Sequence, residues 1–227
     1  MFFYFALHLP DGFLSLPVSL ATWAVSIIFL AMAVQKVQKD DPDKLVPLLG
    51  VCGAFIFAAQ MINFPIPGGT SGHLMGGTLA AVLLGPWAGS LVMAVVFTVQ
   101  ALFFQDGGLT VLGANILNMG LVGTFGGYYV YKILRLLLGR NRWRAMAIAA
   151  GVTSGLSVMV AAALTGLQLG LSGTVPLMTA LGALLFWHLW IGLGEALITV
   201  LTLRYLWQVR PDLLYDPPRP LNPTTPL

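Results

Sequence analysis

Between Lys44 and Lys132 the chain carries no basic residue, and all eleven lysines and arginines of its 227 residues fall in three places. Lys36, Lys39 and Lys44 form the first, and Lys132, Arg135, Arg140, Arg142 and Arg144 the second. Arg204, Arg210 and Arg219 form the third. Charged residues make up only 8% of the chain, against about 25% in an ordinary soluble domain, too few to cover a water-facing surface. Hydrophobic residues reach 58% and lie in long runs without the period-two alternation of a barrel. The chain therefore reads as an all-α integral membrane protein. Its partner of first resort is the lipid bilayer, and the net charge of +3 needs no nucleic acid to explain it. A single cysteine, Cys52, excludes a disulfide framework and a cysteine-based metal site. The N-terminus has no basic segment and no small-residue cleavage site, so a standard signal peptide is not expected.

A hydrocarbon core of about 30 Å takes about 20 helical residues. Apolar runs of that kind lie at 16–35, 45–63, 86–104, 115–138, 145–169 and 176–207. Residues 71–85 are apolar but short, and Pro86 is placed to start a fresh helix in its first turn. Basic clusters mark the cytoplasmic side. Residues 36–44 and 132–144 then lie inside, while 1–15, 64–73, 105–114 and 170–175, which have no lysine or arginine, lie outside. The chain between spans 45–63 and 115–138 must cross an even number of times. One helix over 71–104 breaks that parity; two crossings, 71–85 and 86–104, restore it.

The expectation is a bundle of seven transmembrane helices, N-terminus outside and C-terminus cytoplasmic, crossing the cell (inner) membrane repeatedly. It forms one domain over 1–210, followed by a proline-rich cytoplasmic tail at 211–227. A helix of about 15 residues rises only about 22 Å, so the preceding "FPIPGGTSGH" must dip below the outer surface. Irregular backbone at that depth is tolerated only where protein covers it or a cavity adjoins it. His73 is expected at the bottom of that dip. Gly123-x-x-x-Gly127 and Gly151-x-x-x-Gly155 read as helix-contact signals.

The polar inventory excludes much chemistry. There is no aspartate pair or His-Glu-x-x-His motif for an intramembrane protease, and no P-loop, so any ATPase belongs to another polypeptide. The chain is not expected to be an enzyme. Three histidines remain, and imidazole is a good ligand for nickel, cobalt, copper and zinc. His8 and His73 both lie in external segments and can meet in one cavity; each also reads as an ordinary loop or turn histidine. His188 and Glu195, the one acidic residue within a span, share a helix face about two turns apart. They read as a structural intramembrane pair or, alternatively, as a metal or proton site.

Four separated stretches, "HLPDGFLS", "PIPGGTSGHLMGG", "LGANILNMGLVG" and "HLWIGLGEALIT", occur in that order, and "VRPDLLY" follows at 209–215. Together they resemble the CbiM/NikM type of substrate-binding component of the cobalt/nickel energy-coupling factor (ECF) transporters. The resemblance runs over essentially the whole chain. It implies seven helices, with Ni²⁺ or Co²⁺ as the transported substrate. It also implies an ECF transmembrane coupling subunit, two cytoplasmic ATPase subunits and a small accessory membrane subunit as partners. Cobalamin synthesis or a nickel enzyme would be the destination of the ion.

In that family the mature chain begins Met-His, and the metal lies in a near-planar set of four nitrogens. Those are the terminal amine, the second residue's amide nitrogen, its imidazole, and another imidazole. Carried onto this sequence, the imidazoles are His8 and His73, and Leu7 stands where the terminal residue belongs. Fused chelate rings from one dipeptide favour planar nitrogen-ligated ions and disfavour Mg²⁺ and Ca²⁺, which prefer oxygen. An internal Leu7 nitrogen is not an amine, so translation is expected to start at Leu7, with residues 1–6 absent from the mature chain. Proteolytic trimming would leave the same chelating atoms. Asp11 is expected to orient His8 or bond loop amides, or else simply to form a Pro-Asp-Gly turn. Asn115 and Asn118 are expected to pin the 105–114 loop or the N-terminal segment, with helix capping by Asn115 the plain alternative. The expected function is binding of the ion for ATP-driven uptake. The rivals are a stand-alone secondary transporter or channel working through Glu195 and His188, and a scaffold that uses metal as a staple.

Overall fold

The structure is a computed structural model and describes residues 8–38, 42–61, 64–66, 70–139 and 142–217. Two helices open the chain, α1 (Leu16–Val37) and α2 (Pro42–Gln60). The first starts with a proline in its opening turn, where the missing N–H has no helical partner to lose. It turns Ser19, Thr22, Ser26 and Ala33 inward and leaves Leu20, Ile27 and Ile28 exposed. That is the inversion expected of a helix bathed in lipid, where small residues permit close packing. A short hairpin of β1 (Phe64–Ile66) and β2 (Thr70–Gly72) follows, with Phe64 opposite Gly72.

The central element is α3 (Gly77–Val99), extended by a π-helical turn to Phe104. Its first half is buried along its whole length. After it, α4 (Leu112–Asn115) runs through the π-helical stretch Ile116–Gly126 into α5 (Gly127–Leu138). The long helices α6 (Trp143–Leu171) and α7 (Leu177–Val209) pack against one another and complete the bundle. Among the described residues, four helical stretches are long and apolar enough to cross a membrane: Leu16–Val37, Gly77–Phe104, Trp143–Leu171 and Leu177–Val209.

The break expected before Pro86 is present. Gly85 has φ 78° and ψ 166°, a conformation that only glycine adopts without strain, and the following proline cannot donate back into the helix. The chain reverses there. A Cβ built on Gly89 would lie 3.1 Å from the carbonyl carbon of Ala80, whereas in a straight helix those residues stand about 13 Å apart. One expectation needs correction: helix does not cover 71–76 but begins at Gly77. Thr70–Gly72 are paired with Phe64–Ile66, and Gly76 has φ 77°, so the chain reaches α3 in extended form. The first arm of the hairpin, Gly77–Leu84, is consequently only about 12 Å long.

Each glycine of the two sequence motifs lies at a helix crossing. A Cβ on Gly123 would be 3.0 Å from the Cα of Gly77, and one on Gly155 would be 3.1 Å from the carbonyl oxygen of Gly192. Gly127 faces Thr78 and Ser157, and Gly151 faces Val200.

The first residues of the expected tail are packed against the bundle. Beyond the short turn Pro211–Leu213, Leu214 is buried and the Tyr215 N–H donates to Val82 O at 3.0 Å. The Tyr215 ring fills the space beside Gly85, where a Cβ would approach it to 2.7 Å. Arg135 donates to the Tyr131 hydroxyl and to the carbonyl of Asp216. Residues 218–227 lie outside the described residues.

Glu195 joins α7 to the start of α3. It belongs to a buried face of α7 that recurs every three or four residues through Leu184, His188, Gly192, Glu195, Thr199 and Leu203. Its carboxylate accepts from the amides of Met75 and Gly76, at 2.7 and 2.8 Å, which a helix start otherwise leaves without partners. Gln60 donates to the Met75 carbonyl at 2.7 Å, and Gln100 donates to Gln60 at 2.8 Å. Both polar atoms of the Met75 peptide are thereby satisfied inside the bundle. Glu195→Ala would orphan two buried donors, each costing about 1–3 kcal/mol. That variant should unfold in detergent well before His188→Ala, which removes a side chain bonded only within its own helix at Leu184 O. Equal melting of the two would contradict this role for Glu195.

Candidate metal centre

His73 follows β2 directly and is carried inward by the extended run to Gly76. Its Nδ1 donates to Leu74 O at 2.9 Å, which fixes the ring against its own backbone and leaves Nε2 as the lone-pair nitrogen. His8 arrives from the opposite direction, on the segment before α1. The two rings meet edge to face with centroids 4.7 Å apart, and Phe97 closes a further side at 5.4 Å from His8. His8 is 4% exposed and His73 6%. The Nε2 of His8 is buried without a hydrogen-bond partner, an expensive state for a polar atom. Burial, reinforced by the neighbouring His73, pushes the His8 ring below its ordinary value, which favours the neutral form that presents a lone pair.

The backbone around His8 is fastened by side chains. Asn115 accepts from Leu9 N at 2.9 Å through Oδ1 and donates to Leu9 O at 3.1 Å through Nδ2, imitating a strand partner. Leu9 O also accepts from Gly108 N at 2.8 Å. Asp11 does not touch His8. Its Oδ1 accepts from the amide and hydroxyl of Thr110, at 2.7 and 2.5 Å, and the Thr110 hydroxyl holds the carboxyl below its usual range. The Thr110 carbonyl accepts from Ser19 and Trp23 of α1. The N-terminal segment, the 105–111 loop and α1 thus close on one another above the histidines.

Two carboxamides on neighbouring turns have different neighbours. Asn118 faces away from the N-terminal segment and exchanges hydrogen bonds with Gln168, donating also to Thr165; it ties the helix to α6. His188 and Glu195 share the expected face, but each is bonded elsewhere, His188 to Leu184 O and Glu195 to the Met75 and Gly76 amides. Leu7 lies outside the described residues.

The sequence reading missed Asp106. Its carbonyl oxygen lies 3.4 Å and its Oδ1 3.7 Å from His8 Nδ1. The following Gly107 has φ 94°, and a Cβ there would meet Asn115 Nδ2 at 2.9 Å and His8 Nδ1 at 3.4 Å. Only glycine lets the loop lie this close over the ring. An "Asp-Gly-Gly" turn in an external loop was the available signal. Among the described residues no group of three or more His, Cys, Asp or Glu side chains forms a metal cluster.

A family model described as the cobalt uptake substrate-specific transmembrane region, CbiM, matches residues 8–213. A putative fused nickel transport protein NikMN of Archaeoglobus fulgidus is 41% identical over 210 residues, covering 92% of this chain and 68% of that one. A cobalt transport protein CbiM of Sorangium cellulosum is 39% identical over 215 residues, covering 92% of this chain and 94% of the relative. A crystal structure of a transition metal transporter superposes with TM-score 0.80 at 35% identity, over 89% of this chain and 93% of that one. With the match running from His8 through Leu213, this chain belongs to the CbiM family of cobalt uptake substrate-specific transmembrane regions.

Proposed function

We propose that the chain is the membrane subunit that binds Ni²⁺ or Co²⁺ from outside for ATP-driven uptake by an ECF-type transporter. The observation that carries this reading is the buried meeting of the His8 and His73 imidazoles, ring centroids 4.7 Å apart. A family whose relatives are called nickel and cobalt transport proteins supports the choice of ion. The ATPases belong to separate cytoplasmic subunits and act through a transmembrane coupling subunit, with a small accessory membrane subunit beside them. The setting is the cell (inner) membrane.

Counting the arms on either side of Gly85 separately gives seven helices, with the N-terminus outside and the C-terminus in the cytoplasm. Two observations support that path. The chain reverses at Gly85, and that turn lies against Tyr215, close to the basic residues Lys132 and Arg135 that mark the inner face. The histidines fall at the other end, where the flanking loops have no lysine or arginine.

The ligand set is the amine and amide of a terminal Leu7–His8 pair (Met-His if translation starts there), the His8 imidazole and the His73 imidazole. A rival in which Glu195 and His188 move protons has less support, because both Glu195 oxygens are engaged with main-chain amides. Each of His8→Ala and His73→Ala should weaken Ni²⁺ and Co²⁺ binding by more than about 100-fold, since even residues behind the ligands are worth 10–100-fold. Calorimetry on protein of verified N-terminus checks this. Intact-mass measurement should find a chain starting at residue 7; material that retains Phe2–Ala6 and binds equally tightly would refute the amine ligand. In vesicles, labelled nickel should accumulate only when the coupling subunit and ATPases are present with ATP. Accumulation by this chain alone would favour the secondary transporter.

A further inference from the structure

The two imidazoles are 4% and 6% exposed, so an ion in outer solution cannot reach them without first touching something else. We infer that the Asp106 carboxylate is the entry ligand: it takes the incoming divalent cation from water and hands it to His8 and His73, without belonging to the final set. This rests on the metal-binding reading above and adds a residue and a step to it.

Three observations single out Asp106. Its side chain is 32% exposed while the His8 side chain is 2% exposed, and the two are 3.7 Å apart; the carboxylate therefore has one edge in water and the other on a ligand. The other acidic side chain at this mouth, Asp11, spends its Oδ1 on Thr110. Neither the 1–15 nor the 105–114 segment contains a lysine or arginine to offset the negative charge. A mouth lined by one sign of charge between low-dielectric walls concentrates counter-ions and speeds their capture. The chemistry fits a transient role. A hydrated ion exchanges water for carboxylate oxygen with little discrimination, then leaves it for imidazole nitrogen, which nickel and cobalt prefer. Gly107, pressed against His8, gives the ion a short transfer with no side chain between.

An entry ligand accelerates passage in both directions. Stopped-flow binding of Ni²⁺ and Co²⁺ to the purified full chain should show Asp106→Asn slowing association by about 10-fold or more, with dissociation slowed in parallel and Kd changed much less. Association to the native chain should fall with rising ionic strength, and that dependence should flatten in D106N. The Asp106 main-chain carbonyl stays beside His8 in this nearly isosteric variant, and Asp106→Glu should restore much of the rate. Association within twofold of the native chain in D106N overturns the inference. So does unchanged association with faster dissociation, which would make Asp106 a holding residue. If D106N cannot be purified, native association that ignores ionic strength overturns it instead. Failure of the native chain to bind either metal would sink the metal-binding reading itself, a separate result.

Discussion

An irregular stretch of backbone inside a membrane bundle survives only if each of its polar groups finds a protein partner. In the run from His73 to Gly76, the Met75 amide and carbonyl and the Gly76 amide meet that condition through three side chains on three helices. Glu195 of α7 takes two consecutive amides, Gln60 of α2 takes the Met75 carbonyl, and Gln100, at the far end of α3, steadies Gln60. The extended chain that positions His73 is thus fixed by long-range contacts rather than by its own conformational preference. A carboxylate in a membrane-spanning helix suggests a proton or ion path; here its geometry is that of a cap on a short helix. The same charge that would be costly in lipid is matched by the partial positive charge of a helix start.

The segment that carries His8 is held by a different device. Nothing in residues 8–11 forms regular structure, yet Asn115 binds both main-chain groups of Leu9, Gly108 adds a second bond to its carbonyl, and Asp11 grips Thr110. Thr110 is in turn bonded by Ser19 and Trp23 of α1. The N-terminal segment therefore depends on the 105–111 loop, which depends on α1. Two histidines far apart in sequence meet because each lies on a strap tied to its own set of helices, and Phe97 packs edge to face against His8.

Much of the path was legible in the sequence because lipid leaves few choices. Pro86 after a glycine marked the break that the structure places at Gly85. The start of α3 was misjudged because residues 71–76 are as apolar and small as a helix that packs in lipid, and hydropathy cannot distinguish extended chain from helix over so few residues. His8 and His73 could be singled out because imidazoles are rare here. Asp106 could not, since a lone aspartate in an "Asp-Gly-Gly" loop reads as a turn former until the fold brings it 3.7 Å from His8. Asn115 and Asn118 have nearly the same sequence surroundings. Only helix phase, altered by the π-helical stretch from Ile116, sends one to Leu9 and the other to Gln168.

The first arm of the α3 hairpin links the site to the far end of the bundle. At its N-terminal end the Glu195 carboxylate holds Met75 and Gly76; at its C-terminal end Tyr215 bonds Val82 and its ring occupies the space beside Gly85. Both attachments come from α7 or the chain just beyond it. An arm of only eight residues between Gly77 and Leu84, buried throughout, has little freedom to bend, and packed helices shift as units rather than deform continuously. Any displacement of α7 relative to the rest must then move both ends of the arm together, carrying His73 with it. The position of the His73 imidazole is in this way a property of the last helix, more than a hundred residues further along the chain.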